Sequence, residues 1–146
     1  MIFVERRRAG FTAELLWRVG AIWLAVSLIF IAAKWGAITA LQLPDADDSL
    51  RLVQLRDLVA GQHWFDLTQT RVNPPEGMAM HWSRLVDAPL WLIYSALAPL
   101  FGSALAETIT LVLVPLLTLF CAMLLAGRLA WRMLGDAAIG SSCVLL

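Results

Sequence analysis

The sequence has few charged residues and only two cysteines. Charged side chains make up 15% of the 146 residues and hydrophobic ones 60%, and the mean hydropathy is +0.76. Soluble domains carry about 25% charged residues, so this composition predicts a membrane protein. The net charge is zero, which excludes the basic footprint of a nucleic-acid-binding protein. Cys121 and Cys143 lie in apolar segments with no CxxC partner or nearby histidine, so they indicate no disulfide, metal site or nucleophile.

Tryptophan, in contrast, is frequent, with seven in the chain. Six of them lie at or just outside apolar segments: Trp17, Trp35, Trp64, Trp82, Trp91 and Trp131. Indole rings prefer the depth of the membrane interface. Their positions therefore favour a membrane protein over a soluble core.

The first long apolar segment covers residues 19–41 and contains one charge, Lys34. It exceeds the roughly 20 residues that cross a bilayer. Arginines at positions 6–8 also resemble the start of a signal peptide, but the apolar stretch is longer than the roughly 7 to 15 residues of such peptides and lacks a clear cleavage site. We therefore expect a retained transmembrane helix, with basic residues 1–18 in the cytoplasm by the positive-inside rule.

The next segment, residues 42–104, is predicted to be extracytoplasmic and to be partly helical. It holds seven of the eleven acidic residues: Asp45, Asp47, Asp48, Asp57, Asp66, Glu76 and Asp87. Its apolar part 88–101 is too short to span, so we expect a helix lying in the interface. Residues 105–126 then form the second span, which leaves the arginines of the loop 127–136 in the cytoplasm. If 88–101 crossed the membrane instead, those arginines would lie outside.

The chain becomes apolar again at residue 137 and stops at residue 146. Ten helical residues reach about 15 Å, half the hydrocarbon thickness. This predicts the start of a truncated third span, and hence the N-terminal piece of a longer protein; an amphipathic C-terminal stub is the alternative. The predicted fold class is all-α, with polytopic transmembrane helices.

An acidic run at the start of the extracytoplasmic segment is the first candidate site. A helix beginning near Asp47 places Asp47, Arg51 and Gln54 on one face, and Leu52, Leu55 and Val59 on the opposite one, with Gly61 as a stop. Aspartates before a helix are often N-caps. Clustered carboxylates also repel, which favours general-base chemistry or binding of a cation by oxygen ligands.

A second cluster follows a turn predicted at Pro74, Pro75 and Gly77. His81, Arg84 and Asp87 recur at a spacing of three, so a short helix would align them beside Trp82 at the membrane surface. The planar fork of an arginine matches phosphate oxygens. The alternative is a surface pair of Arg84 and Asp87 worth under about 1 kcal/mol, with His81 merely interfacial.

The two clusters, in segments 45–56 and 75–87, together with the order of spans, resemble the GT-C superfamily of polytopic membrane glycosyltransferases. The closest likeness is to oligosaccharyltransferase catalytic subunits and to related bacterial enzymes that use lipid-linked sugars. The resemblance covers most of the chain at a coarse level.

This resemblance implies roles for particular residues. Asp47 and Asp48 match the aspartate of the first external loop that acts as catalytic base or as ligand of a divalent cation, Mg or Mn. Basic residues that bind the phosphate of a polyprenyl carrier in the family correspond here to Arg51, Arg84, His81 and Lys34.

The leading hypothesis is that the chain is the N-terminal part of a multi-pass inner-membrane glycosyltransferase that uses a polyprenyl-phosphate-linked sugar donor. A fragment of this kind would hold half a site and be inactive alone. Two other classes remain: a membrane transport (efflux) component and a small non-catalytic membrane subunit.

Overall fold

The structure, a computed structural model, describes residues 13–134, which are mostly helical. The elements in chain order are α1 (Ala13–Thr39), α2 (Ala46–Val59), β1 (Thr68–Gln69), β2 (Met78–Ala79), a 3-10 helix (Arg84–Val86), α3 (Ala88–Phe101) and α4 (Ser103–Leu134). The two strands pair antiparallel, with Thr68 opposite Ala79. The predicted helical class is thus confirmed for these residues, apart from one short two-stranded ladder.

Helices α1 and α4 are both long and apolar enough to cross a membrane, with mean hydropathies of 2.1 and 2.6 in their most apolar parts. Only 17% and 11% of those parts are buried. The core helix of a soluble protein is mostly buried, so the exposed apolar surface of α1 and α4 fits lipid contact.

Both long helices extend beyond the predicted spans. Helix α1 begins at Ala13, where Arg18 and Glu14 form an exposed i,i+4 pair of 2.6 Å. Helix α4 continues to Leu134, so residues 127–134 are helical where a loop was predicted. Charged residues end an apolar segment without ending a helix, because arginine and glutamate have good helix propensity.

The described residues divide into two compact units. One consists of 13–34 and 115–134, and the other of 35–114. In the first unit, Leu15, Val19 and Met123 form a buried cluster. A Cβ on Gly127 would lie 3.1 Å from Leu15 Cδ1, so glycine allows the helices to approach closely there.

The second unit contains α2, the strands, the 3-10 helix, α3 and the beginning of α4. Its buried apolar residues are Leu52, Leu55, Met80, Leu90 and Ala106. Six polar side chains are buried with them: Gln54, Gln69, Arg84, Asp87, Glu107 and Thr110. Buried polar groups need partners, so this polar core is where the candidate site is built.

Helix α3 has the bounds predicted for the interfacial helix, 88–101. A single residue, Gly102, joins it to α4, and its φ of 78° suits glycine. The predicted third span, 137–146, lies outside the described residues, and so do the arginines at positions 6–8.

Candidate functional site

Of the three aspartates in the acidic run, one caps α2 and the other two do not. Asp45 is the N-cap of α2, because its Oδ1 accepts a hydrogen bond of 2.8 Å from the backbone N–H of Asp48. Asp47 and Asp48 lie in the first helical turn with exposed side chains. The capping interpretation is therefore confirmed for Asp45, and the carboxylates of Asp47 and Asp48 remain accessible.

The predicted faces of α2 need a correction at Gln54. Gln54 was placed on the open face with Asp47 and Arg51, yet it is only 1% exposed, whereas Val59, placed on the packed face, is 43% exposed. Successive helical residues are 100° apart, so Gln54 and Leu55 are neighbours on the helix surface. The packed face is wide enough to include both.

Gln54 is buried as part of a group that we call the Trp82 cluster, consisting of Arg51, Gln54, His81 and Trp82. The Nε1–H of Trp82 donates a hydrogen bond to Gln54 Oε1. The guanidinium carbon of Arg51 lies 5.5 Å from the Trp82 ring centroid, within cation–π range. The exposed His81 ring meets Trp82 edge-on at 4.8 Å. The cluster thus presents a guanidinium and an imidazole at the surface, both suited to an anionic ligand.

The predicted short helix through His81, Arg84 and Asp87 is wrong in extent. The 3-10 helix covers only Arg84–Val86, because the Ser83 hydroxyl accepts from the Leu85 N–H and fixes its start. His81 lies before it and is exposed, while Arg84 and Asp87 are buried. The structure therefore separates His81 from the other two residues.

Arg84 is 4% exposed and binds protein acceptors. Its Nη2 donates to Gln62 Oε1 and to the carbonyl of Asp66, both at 2.6 Å, and its Nη1 donates to the carbonyl of Gln54 at 3.3 Å. Nη1 also lies 3.8 Å from Asp87 Oδ2. The pair of Arg84 and Asp87 is thus buried and does not form the surface pair considered above. The contacts of Arg84 are those of a residue that holds the fold.

Two aspartates of this unit have shifted pKa values with opposite causes. Burial raises the pKa of Asp87, and nearby Arg51 and Arg84 only partly offset it. Neither carboxylate oxygen of Asp87 accepts a hydrogen bond from residues 13–134. The pKa of Asp66 is lowered because its carboxylate accepts from the Thr68 backbone N–H at 2.9 Å.

A salt bridge joins α2 and α4. The sequence shows only its acidic member, as a lone acid at the start of an apolar helix, and does not identify the partner. Arg56 donates to both carboxylate oxygens of Glu107, at 2.7 and 2.6 Å, and Glu107 is 8% exposed. This contact raises the pKa of Arg56. An acid at the start of an apolar helix requires a partner, but nothing in the sequence identifies Arg56, which is 51 residues away.

The remaining predicted site residues are less informative. Lys34 is exposed on α1, in the other unit from α2. Among residues 13–134, no three His, Cys, Asp or Glu side chains are grouped as a metal site. Metal binding by Asp47 and Asp48, and phosphate binding by Lys34, stay predictions.

Comparison of the chain with protein-family models, curated proteins and solved structures finds no match. Membership of the GT-C superfamily is therefore a hypothesis that depends on the residues themselves.

Proposed function

We propose that the chain contributes the first external loop of a multi-pass inner-membrane glycosyltransferase of the GT-C type, which uses a polyprenyl-phosphate-linked sugar. The observation that carries the proposal is the position of Asp47 and Asp48. Asp45 caps α2, so Asp47 and Asp48 are not needed as caps. Both of their carboxylates are exposed, and Arg51 follows Asp47 about one turn later. Carboxylates beside a surface cation are the groups needed where a proton is removed and a phosphate departs.

In this proposal, Asp47 or Asp48 accepts the proton of the acceptor nucleophile. Exposed carboxylate oxygens also fit Mg or Mn, which take one or two carboxylates and complete their shell with phosphate and water. A cation held there would supply charge stabilisation to the leaving phosphate. Arg51 and His81 bind the phosphate of the carrier lipid through charge-assisted hydrogen bonds.

Arg84 is left out of the proposed phosphate site because its Nη atoms already donate to Gln54, Gln62 and Asp66. The proposed topology places residues 1–18 in the cytoplasm and 42–104 on the far side. Helices α1 and α4 would then bring both ends of the loop to the bilayer, from which a long carrier lipid reaches it.

The experiment replaces Asp47 and Asp48 singly by Asn at the chromosomal locus, so that the chain acts with whatever else its gene encodes. Glycolipids and glycans of the variants, the wild type and a deletion strain are compared by mass spectrometry. We expect at least one variant to reproduce the deletion profile, with normal amounts of protein in the membrane.

Asp45→Asn is the matched control, because asparagine also caps helices. It should retain the wild-type profile. Wild-type profiles in both the Asp47 and Asp48 variants, or a deletion strain without any changed glycan, would contradict the proposal.

A further inference from the structure

We infer that Trp82 and Gln54 are positioning residues, which together hold the guanidinium of Arg51 in place for the donor phosphate. The inference deepens the proposed function and rests on it. It starts from a continuous set of contacts, from the buried amide of Gln54 through the Trp82 ring to the Arg51 side chain.

Gln54 provides the fixed point of this set. It lies within α2, its side chain is 1% exposed, and its Oε1 accepts the indole N–H of Trp82. Breaking this hydrogen bond is costly, because the buried Oε1 of Gln54 would be left without a partner. The Trp82 ring is therefore attached to α2, the same helix that carries Arg51.

The ring then restricts Arg51. The guanidinium carbon lies 5.5 Å from the ring centroid, while the Arg51 side chain stays partly exposed. A cation–π contact is an attraction between the positive charge and the ring, and it uses none of the acceptors that the guanidinium N–H groups need, so those groups can still donate to phosphate oxygens. The contact thus orders a flexible side chain and leaves its phosphate-binding edge open.

Preorganised groups lose less conformational freedom when they bind. If Trp82 acts by ordering Arg51, removing the ring should weaken phosphate binding only while Arg51 is present. A purely structural role of Trp82 would weaken binding whether or not Arg51 is present. A double-mutant cycle separates these cases.

The experiment measures equilibrium binding of a radiolabelled polyprenyl monophosphate to the protein purified in detergent after expression of its whole gene, with the uncharged polyprenol of equal length as reference. We expect Arg51→Gln to weaken phosphate binding about tenfold, the loss of one charged hydrogen bond. Trp82→Leu should weaken it about two- to fivefold, the size of a cation–π contact. The double variant should bind about as weakly as Arg51→Gln alone.

Trp64→Leu is the matched control, since Trp64 contacts Trp91 by an edge-on ring pair at 6.4 Å. It should leave phosphate binding unchanged. Circular dichroism and gel filtration verify that each variant is folded. If Trp82→Leu does not fold, the cycle uses Trp82→Phe, which keeps a smaller aromatic ring but lacks the N–H that donates to Gln54, so that the ring is no longer attached to α2.

Two results would overturn the inference in different ways. A wild-type chain that binds the phosphate no better than the alcohol overturns the proposed function and this inference with it. A wild type that prefers the phosphate, with single-variant effects that multiply in the double variant, overturns the positioning role alone.

Discussion

Arg84 offers the sharpest test of the distinction between a residue that holds the fold and one that binds phosphate. The variant Arg84→Met keeps an unbranched side chain and removes the charge. It leaves Asp87 buried without its ion-pair partner and Gln62 without a donor. Breaking a buried ion pair by removing one partner costs about 3–5 kcal/mol. The two 2.6 Å hydrogen bonds to a charged donor give a similar total, about 3–6 kcal/mol.

The assay is hydrogen exchange with mass spectrometry on the detergent-solubilised chain, followed for backbone amides of residues 52–69. A loss of about 4 kcal/mol in the free energy of local opening accelerates exchange about a thousandfold. Arg71→Met is the control, because Arg71 is an exposed arginine of the same unit. It should change the opening free energy by less than about 0.5 kcal/mol.

A second variant tests the mechanism. In Arg84→Met/Asp87→Leu both members of the pair become apolar, and part of the lost protection should return, because no charge is left buried alone. The hydrogen bonds to Gln62 and to the Asp66 carbonyl stay broken, so exchange should remain faster than in the wild type. Unchanged exchange in Arg84→Met, together with weaker binding of polyprenyl phosphate, would show that Arg84 does not hold the fold. Arg84 would then be the phosphate ligand that the sequence predicted.

Two further predictions concern acid sensitivity and the hairpin. Because burial raises the pKa of Asp87 above its ordinary 3.8, Asp87 stabilises the fold most below that value and loses this contribution as pH rises through the folded pKa. Exchange measured from about pH 4 to 7 should therefore show Asp87→Asn gaining stability relative to wild type as pH rises. Asp66→Asn, whose native pKa is lowered, should instead lose stability relative to wild type as pH rises, and this change should occur at and below the ordinary 3.8. Gly77→Ala should speed amide exchange in β1 and β2 by destabilising the hairpin about 1–2 kcal/mol, since φ is 76° and the new Cβ would lie 2.9 Å from Thr68 Cγ2. Gly36→Ala is the control, because a Cβ added at Gly36 would have no atom within 4 Å, and this variant should be neutral or stabilising. Equal amide exchange rates in β1 and β2 for the two alanine variants would contradict this explanation.

Features set by neighbouring residues could be predicted from the sequence. Helix α2 begins at Ala46, next to the predicted Asp47, because Asp45 is a strong N-cap. Helix α3 has the predicted bounds because Asp87 precedes its apolar run and Gly102 ends it. Apolar length likewise identified the cores of α1 and α4, but helix propensity carried both helices past the charged residues that end a hydrophobic span.

Features set by distant residues could not be predicted. The polar character of Gln54 and its position on the helix near Arg51 predict an exposed side chain, whereas in the structure Gln54 is buried and accepts a hydrogen bond from Trp82, 28 residues away. Arg84 likewise pairs with Gln62, 22 residues away. Periodicity within one helix describes which residues share a face, and it contains no information on the partner that covers that face.

The proposed function requires that the loop carrying Asp47 and Asp48 lies across the membrane from the N-terminus. Reporter proteins fused after Gly61 test this topology. Alkaline phosphatase is active only outside the cytoplasm. Green fluorescent protein fluoresces in the cytoplasm and does not fluoresce when it is exported by this route. If the loop is extracytoplasmic, we expect an active phosphatase and a fluorescent protein without fluorescence. An inactive phosphatase with a bright fluorescent protein would contradict it.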